Sequence, residues 1–130
     1  MIEVRNLSKQ KINPAWLKKI AKAILKKEKK KKLELSIVLV GQVRIKKLNK
    51  QYRQKNRPTD VLAFAYNGLG EIVICLEQVK RNAQKFNTSF KDELKRVLIH
   101  GILHLLGYDH EQSVKQAQQM RKKEEIYLSL

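Results

Sequence analysis

The sequence of 130 residues is short of several residue types, and each shortage narrows what the protein can be. Its single cysteine, Cys75, excludes an internal disulfide, as is usual for proteins of a reducing compartment. The N-terminal segment MIEVRNLSKQ has no apolar core of signal-peptide length, and no stretch approaches the ~20 apolar residues of a membrane span. These shortages predict a cytoplasmic protein that does not enter a membrane.

Acidic residues are also scarce. Asp and Glu total 12 against 29 Lys and Arg, which gives a formal net charge of +17. Such a charge attracts polyanions, and nucleic acid is the commonest polyanion in a cell. A lysine-rich surface selected for heat tolerance is the alternative, but that class enriches Glu together with Lys, and Glu does not keep pace here. The charge therefore favours a polyanion partner.

No internal repeat and no linker rich in Gly, Ser or Pro divides the chain, so we predict one domain over residues 1–130. Weak alternation predicts a short strand at 1–5, and apolar stretches predict strands at 33–40, 61–66 and 71–75. The Asn67-Gly68 pair predicts a turn that joins the last two strands as a hairpin. Helical spacing or helix-start signals predict helices beginning at Asn13, Val43, Glu77, Ser89 and Gln112. Strands lead and helices close the chain, which predicts an α+β fold with a small mixed β-sheet packed with helices.

All three histidines lie in one segment, HGILHLLGYDH, at residues 100–110. The predicted helix that carries the first two of them is apolar nearly all round from Leu94 to Leu106, which is typical of a helix buried in a core. His100 and His104 are four residues apart on it, so their side chains project from the same face. Gly107 can end that helix and let the chain return His110 to the same point. Three imidazoles with a fourth position left to water form a catalytic zinc site, so we predict one Zn²⁺ held by His100, His104 and His110. Histidines that pack in a core without a metal are the alternative, which suits one histidine better than three at this spacing.

A general base is missing from this segment. In the metallopeptidase motif HExxH a glutamate follows the first histidine, whereas this chain has Gly101 there. Asp109, next to a predicted ligand, is a candidate for orienting a histidine or accepting a proton, and Asp60 and Glu71 are weaker candidates. Three tyrosines are candidates either for stacking on unpaired bases or for core packing: Tyr52, Tyr66 and Tyr108.

The histidine segment resembles the HGxLHLxGYDH signature of the YbeY family of bacterial endoribonucleases. Upstream, LNKQYRQKNRPTDVLAFAY and GEIVIC resemble that family's Leu-Asn-x-x-Tyr-Arg, Pro-Thr-Asp-Val-Leu-Ser-Phe and Gly-Asp-Ile segments, in the same order. The matching blocks span residues 48–110. The chain departs from the family pattern at three positions on the predicted strands: Ala63, Ala65 and Glu71.

The resemblance implies a metalloprotease-like (zincin-like) α+β fold with a three-histidine zinc site, and cleavage of single-stranded RNA. It also implies a role in 3′-end maturation of 16S ribosomal RNA and in late quality control of the ribosome, with the small subunit as partner. By position, Arg53 would be the functional arginine of the cleft, where a guanidinium can bind a phosphodiester through two hydrogen bonds.

Two other functions remain open from the sequence. The chain could be a metallopeptidase-like hydrolase, although Gly101 and the positive charge both count against that. It could also be a non-catalytic, RNA-binding ribosome assembly factor whose zinc is structural. The open fourth coordination position counts against the second alternative.

Overall fold

Four strands form one mixed sheet in the computed structural model, which describes residues 1–109 and 111–130. The strands are β1 (Ile2–Asn6), β2 (Glu34–Val40), β3 (Val61–Tyr66) and β4 (Leu69–Cys75). Their order across the sheet is β1-β2-β4-β3. β1, β2 and β4 are parallel and β3 is antiparallel to β4, which confirms the predicted mixed sheet.

The β3–β4 connection is the predicted hairpin. Asn67 and Gly68 both have positive φ, of 50° and 76°, which is the conformation of a two-residue type I′ turn. The turn pairs Tyr66 with Leu69 and fixes the register of both strands. Because β3 is the last strand in the order, it forms an edge of the sheet.

Five helices surround the sheet. They are α1 (Pro14–Lys27), α2 (Gln42–Arg53), α3 (Leu76–Lys85), α4 (Phe90–Leu105) and α5 (Val114–Leu128). Ser89 starts α4 as predicted, since its hydroxyl accepts a hydrogen bond from the Asp92 amide at 3.0 Å. α5 begins later than the expected Gln112 because Ser113 caps it, its hydroxyl accepting from the Gln116 amide at 3.1 Å.

Successive side chains of β2 divide the hydrophobic core between the two faces of the sheet. Leu35, Ile37 and Leu39 belong to the larger cluster, which includes buried residues of α1 and α4. Val38 and Val40 belong to a smaller cluster on the other face. This alternation follows from the two-residue repeat of a strand. Both faces are therefore covered by helices.

Helix α4 differs from its sequence-based description as apolar nearly all round. One side is fully buried, but Lys95, Arg96 and His100 are half-buried and His104 is exposed. The helix packs against the sheet along one side only, so the other side can carry polar groups. None of the helices in the part of the chain that the structure describes is long and apolar enough to cross a membrane.

Candidate active site

A cleft of about 430 Å³ lies between α4, strand β3 and the end of α2. His100 and His104 line it from α4, and Arg53 lines it from the last turn of α2. The remaining described lining residues are Tyr52, Val61, Leu62, Ala63, Phe64, Gly101 and Glu111. The fold thus brings the predicted functional arginine into one cleft with two predicted zinc ligands that lie far from it in the sequence.

His100 is held by a carboxylate from α5. Its Nδ1 lies 3.1 Å from Oε1 of Glu124, and the two side chains are 30% and 20% exposed. Metal-binding histidines usually donate the N–H of one ring nitrogen to a carboxylate, which orients the ring and raises the basicity of the other nitrogen. Glu124 is suited to this role, since its carboxylate contacts Nδ1 of His100. Sequence reasoning missed Glu124 because nothing local links two residues 24 positions apart.

Arg53 is positioned by the way α2 ends. Gln54 has a left-handed conformation, with φ of 58°, which stops the helix directly after Arg53. The buried Asn49 donates from Nδ2 to the Arg57 carbonyl at 2.9 Å and so ties the following loop to α2. The loop is therefore fixed by a buried hydrogen bond, while Arg53 itself stays exposed at the cleft.

Two aromatic rings stand beside the arginine. Tyr52 and Phe64 meet edge to face, with ring centroids 5.0 Å apart. Tyr52 is 58% exposed, so its ring is accessible from the cleft. The third candidate for stacking, Tyr66, is also exposed but does not line the cleft.

Gly101 occupies the position of the metallopeptidase glutamate for a packing reason. A Cβ at this residue would lie 3.0 Å from Cγ2 of Val61 and 3.2 Å from Cγ2 of Ile72. Helix α4 can approach β3 and β4 this closely only because residue 101 has no side chain. A glutamate at position 101 would crowd Val61 and Ile72 on the strands. Residue 101 therefore does not supply the general base that the glutamate of an HExxH motif supplies.

Tyr108 lies away from the cleft and contacts the carboxylate of Glu28. Its hydroxyl donates to Glu28 at 2.7 Å, Lys123 donates to the same carboxylate at 3.1 Å, and Tyr127 also donates to it. Burial alone would raise the pKa of Glu28, but these hydrogen bonds and the charge of Lys123 lower it below the ordinary value. Burial together with Glu28 raises the pKa of Tyr108 to about 12. Tyr108 is thus a packing residue, which was the second of its two predicted roles.

The three carboxylates that the sequence suggested as a general base or as an orienting group do not line the cleft. Oδ1 of Asp109 accepts from the Glu111 amide at 2.8 Å, and Asp109 is not among the described residues that line the cleft. Asp60 accepts from Asn82 at 3.2 Å, and Glu71 is half-buried on β4. Glu111, which does line the cleft, was not singled out from the sequence, although it directly follows the histidine segment.

The donor chemistry of the cleft fits zinc. His100 and His104 present two imidazoles, one with the supporting carboxylate that metal-bound histidines require. Cys75 is no competing donor, since it is buried on β4 in the smaller core cluster and burial raises the pKa of its thiol. No three His, Cys, Asp or Glu side chains among the described residues are grouped to hold a metal, and the predicted third ligand, His110, lies outside those residues.

Sequence and fold comparisons relate this chain to known proteins. The sequence profile of the family described as Endoribonuclease YbeY matches residues 3–130. The Endoribonuclease YbeY proteins of Persephonella marina and Aquifex aeolicus are 40% and 37% identical to this chain, over 89% and 95% of it and 82% and 87% of their own lengths. A solution structure from Thermotoga maritima aligns with a TM-score of 0.74 at 40% identity, covering 98% of this chain and 87% of that one. The sequence profile, the curated relatives and the fold together place this chain in the YbeY endoribonuclease family.

Proposed function

We propose that the protein is a zinc-dependent endoribonuclease that cleaves single-stranded RNA, acting in 3′-end maturation of 16S ribosomal RNA and in late quality control of the ribosome. The observation that supports this most is the shared cleft of Arg53, His100 and His104. An arginine that can bind phosphate thus lines the same cleft as two histidines that can bind zinc. The endoribonuclease names of its relatives support RNA as the substrate class.

His100, His104 and His110 would hold the metal. When bound, zinc would supply a Lewis acid that polarises a phosphate oxygen and makes water acidic enough to be a nucleophile near neutral pH. Glu124 keeps the His100 ring oriented for that purpose, because its carboxylate fixes which ring nitrogen carries the proton. The resulting zincin-like site differs from a peptidase in having Gly101 where the peptidase glutamate would be.

The protein's own side chains bind the RNA. The Arg53 guanidinium grips a phosphodiester through two N–H donors and stabilises the charge that develops as the bond breaks. The exposed ring of Tyr52 offers a stacking surface to a base. Glu111 brings a carboxylate to the same cleft, where it can accept a proton.

The size of the cleft also favours unpaired RNA. A volume of about 430 Å³ lies in the range of small-ligand sites, which suits a splayed-out nucleotide. Bases stacked inside a duplex cannot present a free face to the exposed ring of Tyr52. The single-stranded substrate class is therefore consistent with the shape as well as with the residues.

The metal requirement is tested by chelation and by His104→Ala. We expect chelated protein to lose cleavage of an unstructured RNA and to regain it only with a divalent metal. His104→Ala should abolish cleavage, a loss of about 10³-fold or more, because it removes a ligand of the proposed zinc. Elemental analysis should fall below one zinc per chain in this variant, while circular dichroism and RNA-binding anisotropy stay unchanged.

The same preparations distinguish the alternatives. Cleavage that persists in His104→Ala, purified in parallel with the unmodified protein, would contradict the proposal. Hydrolysis of casein with no cleavage of RNA would identify a metallopeptidase instead. One zinc per chain in the unmodified protein together with RNA binding and no cleavage would identify an assembly factor with structural zinc.

A further inference from the structure

A second basic surface lies away from the cleft, on α1 and the loop that follows it. It consists of two grooves, which we call the lysine surface. The first, of about 750 Å³, lies between β1 and α1, and the second, of about 760 Å³, reaches the hairpin turn at Gly68. Both grooves include Lys26, Lys31 and Leu33, so they are continuous. The lysines that line them are Lys18, Lys19, Lys22, Lys26, Lys29, Lys30, Lys31 and Lys32.

Acidic side chains are scarce around this surface, and the nearest in the sequence, Glu3, Glu28 and Glu34, do not line either groove. The one acidic residue between Lys18 and Lys32 is Glu28, and its carboxylate turns inward to Tyr108, Lys123 and Tyr127. The described residues that line the two grooves include no Asp or Glu. The lysines of the surface are all exposed, so the charge is available to a large polyanion.

The lysine surface and the cleft share no described lining residue. Strand β1, which borders the first groove, is one edge of the sheet, and β3, which borders the cleft, is the other. A ligand held on the lysine surface is therefore not held by the cleft residues. A sufficiently long RNA could contact both.

The two surfaces also differ in chemistry. The cleft carries Tyr52 and Phe64, which can stack on unpaired bases, whereas the described residues that line the lysine surface include no aromatic side chain. Lysines without aromatic partners bind the phosphate backbone and read its shape, not its bases. On α1, Lys18, Lys22 and Lys26 recur every four residues, which spaces their charges by ~6 Å along the helix axis.

We propose that the lysine surface binds double-helical RNA through its phosphates, so that a substrate with a helix beside an unpaired segment is held at two places. The charge, the spacing and the lack of stacking groups all favour a duplex backbone as the occupant. An anionic membrane is a poorer match, because Met1 is the one large apolar side chain exposed among the described residues of the grooves. Leu25 is buried and Ile2 and Leu33 are half-buried, so they offer little apolar surface to lipid.

The test uses Lys26→Gln/Lys31→Gln, which removes two charges that both grooves share. Lys80→Gln/Lys85→Gln on α3 is the control, since it removes the same charge from exposed lysines that do not line either groove. The probe is a blunt-ended RNA duplex of roughly two helical turns, and its affinity is measured over a range of salt concentrations. We expect the first variant to bind the duplex about tenfold more weakly at low salt and the slope of log affinity against log salt to fall by about two.

Cleavage of a short unstructured RNA should be unchanged in both variants, since neither touches the cleft. Equal losses in the test and control variants would show a general charge effect and overturn the proposal. An unchanged salt slope for the duplex would overturn it as well. Binding to phosphatidylserine vesicles that depends on Lys26 and Lys31, with duplex binding intact, would assign the surface to lipid instead.

Discussion

Helix α5 takes part in two contacts that each involve a carboxylate, one at His100 and one at Glu28. Through Glu124 it supplies one carboxylate to His100, in a contact that is partly open to solvent. Through Lys123 and Tyr127 it supplies two donors to Glu28, whose side chain is only 9% exposed. Neighbouring residues of α5 thus contribute to two polar centres, the His100–Glu124 contact at the cleft and the hydrogen bonds to Glu28.

The two centres differ in how they relate to the cleft. Glu28 accepts three hydrogen bonds from within the fold, and these join α1, the segment after α4 and α5. His100 faces Glu124 through Nδ1 and also lines the cleft. A carboxylate that accepts several internal hydrogen bonds contributes to stability, whereas a side chain that lines a cleft can contribute to chemistry. Changes at the cleft should therefore affect activity, and changes at Glu28 should affect stability.

After His104→Ala, the largest effect among the cleft variants is expected for Arg53→Ala. Removing the guanidinium should lower cleavage of unstructured RNA by about 10²–10³-fold, because a donor to the developing phosphate charge is lost. Zinc content should remain one per chain, and the melting temperature should change little since Arg53 is exposed. Arg57→Ala is the matched control, an exposed arginine of the next loop that does not line the cleft. Loss of metal in Arg53→Ala would mean that the arginine has a different role.

A smaller effect is expected for Glu124→Gln. The amide keeps the shape but loses the charge that supports His100, so zinc affinity should fall by about 10–100-fold. A competition titration with a chelating dye measures this directly, and added zinc should restore most of the cleavage. Glu125→Gln, at the exposed neighbouring position, should leave zinc affinity unchanged. Equal affinities in the two variants would remove Glu124 from the proposed site.

Glu28→Gln should act on stability. Replacing a buried carboxylate that accepts three hydrogen bonds should lower the free energy of unfolding by about 1–3 kcal/mol at neutral pH. Denaturant unfolding checks this, with the exposed Glu34→Gln as the control. A loss of cleavage in folded Glu28→Gln larger than that in Glu124→Gln would break the distinction between the two centres.

The same carboxylate gives a smaller, pH-dependent effect. The folded pKa of Glu28 lies below its ordinary value of 4.5, so its stabilisation is present above pH 4.5 and is lost as the pH falls through the folded pKa. The stability difference between the unmodified protein and Glu28→Gln should therefore shrink on acidification below pH 4.5. A difference that stays constant down to the acid transition would contradict the assigned pKa direction.

Much of the fold follows from local patterns. The Asn67-Gly68 turn predicts the hairpin because few other residue pairs accept two successive positive φ angles. The Asn13 and Ser89 caps are recognisable for the same kind of local reason, since each side chain bonds an amide two or three residues ahead. The partly exposed, polar side of α4 could not be predicted, because the apolar composition of a helix does not show which of its sides packs against the sheet.

The sequence by itself determined the two imidazoles four residues apart on α4, the arginine at the end of α2 and the excess of lysine, because each depends on residue type and short-range spacing. Only the tertiary structure decided that Arg53 lines the same cleft as those histidines, that Glu124 contacts His100 and that Glu28 accepts from Tyr108. These arrangements join residues far apart in the chain, and their geometry is set by how helices pack on the sheet. The position of the first lysine groove and of the cleft at opposite edges of the sheet is likewise a consequence of strand order, which no local pattern contains.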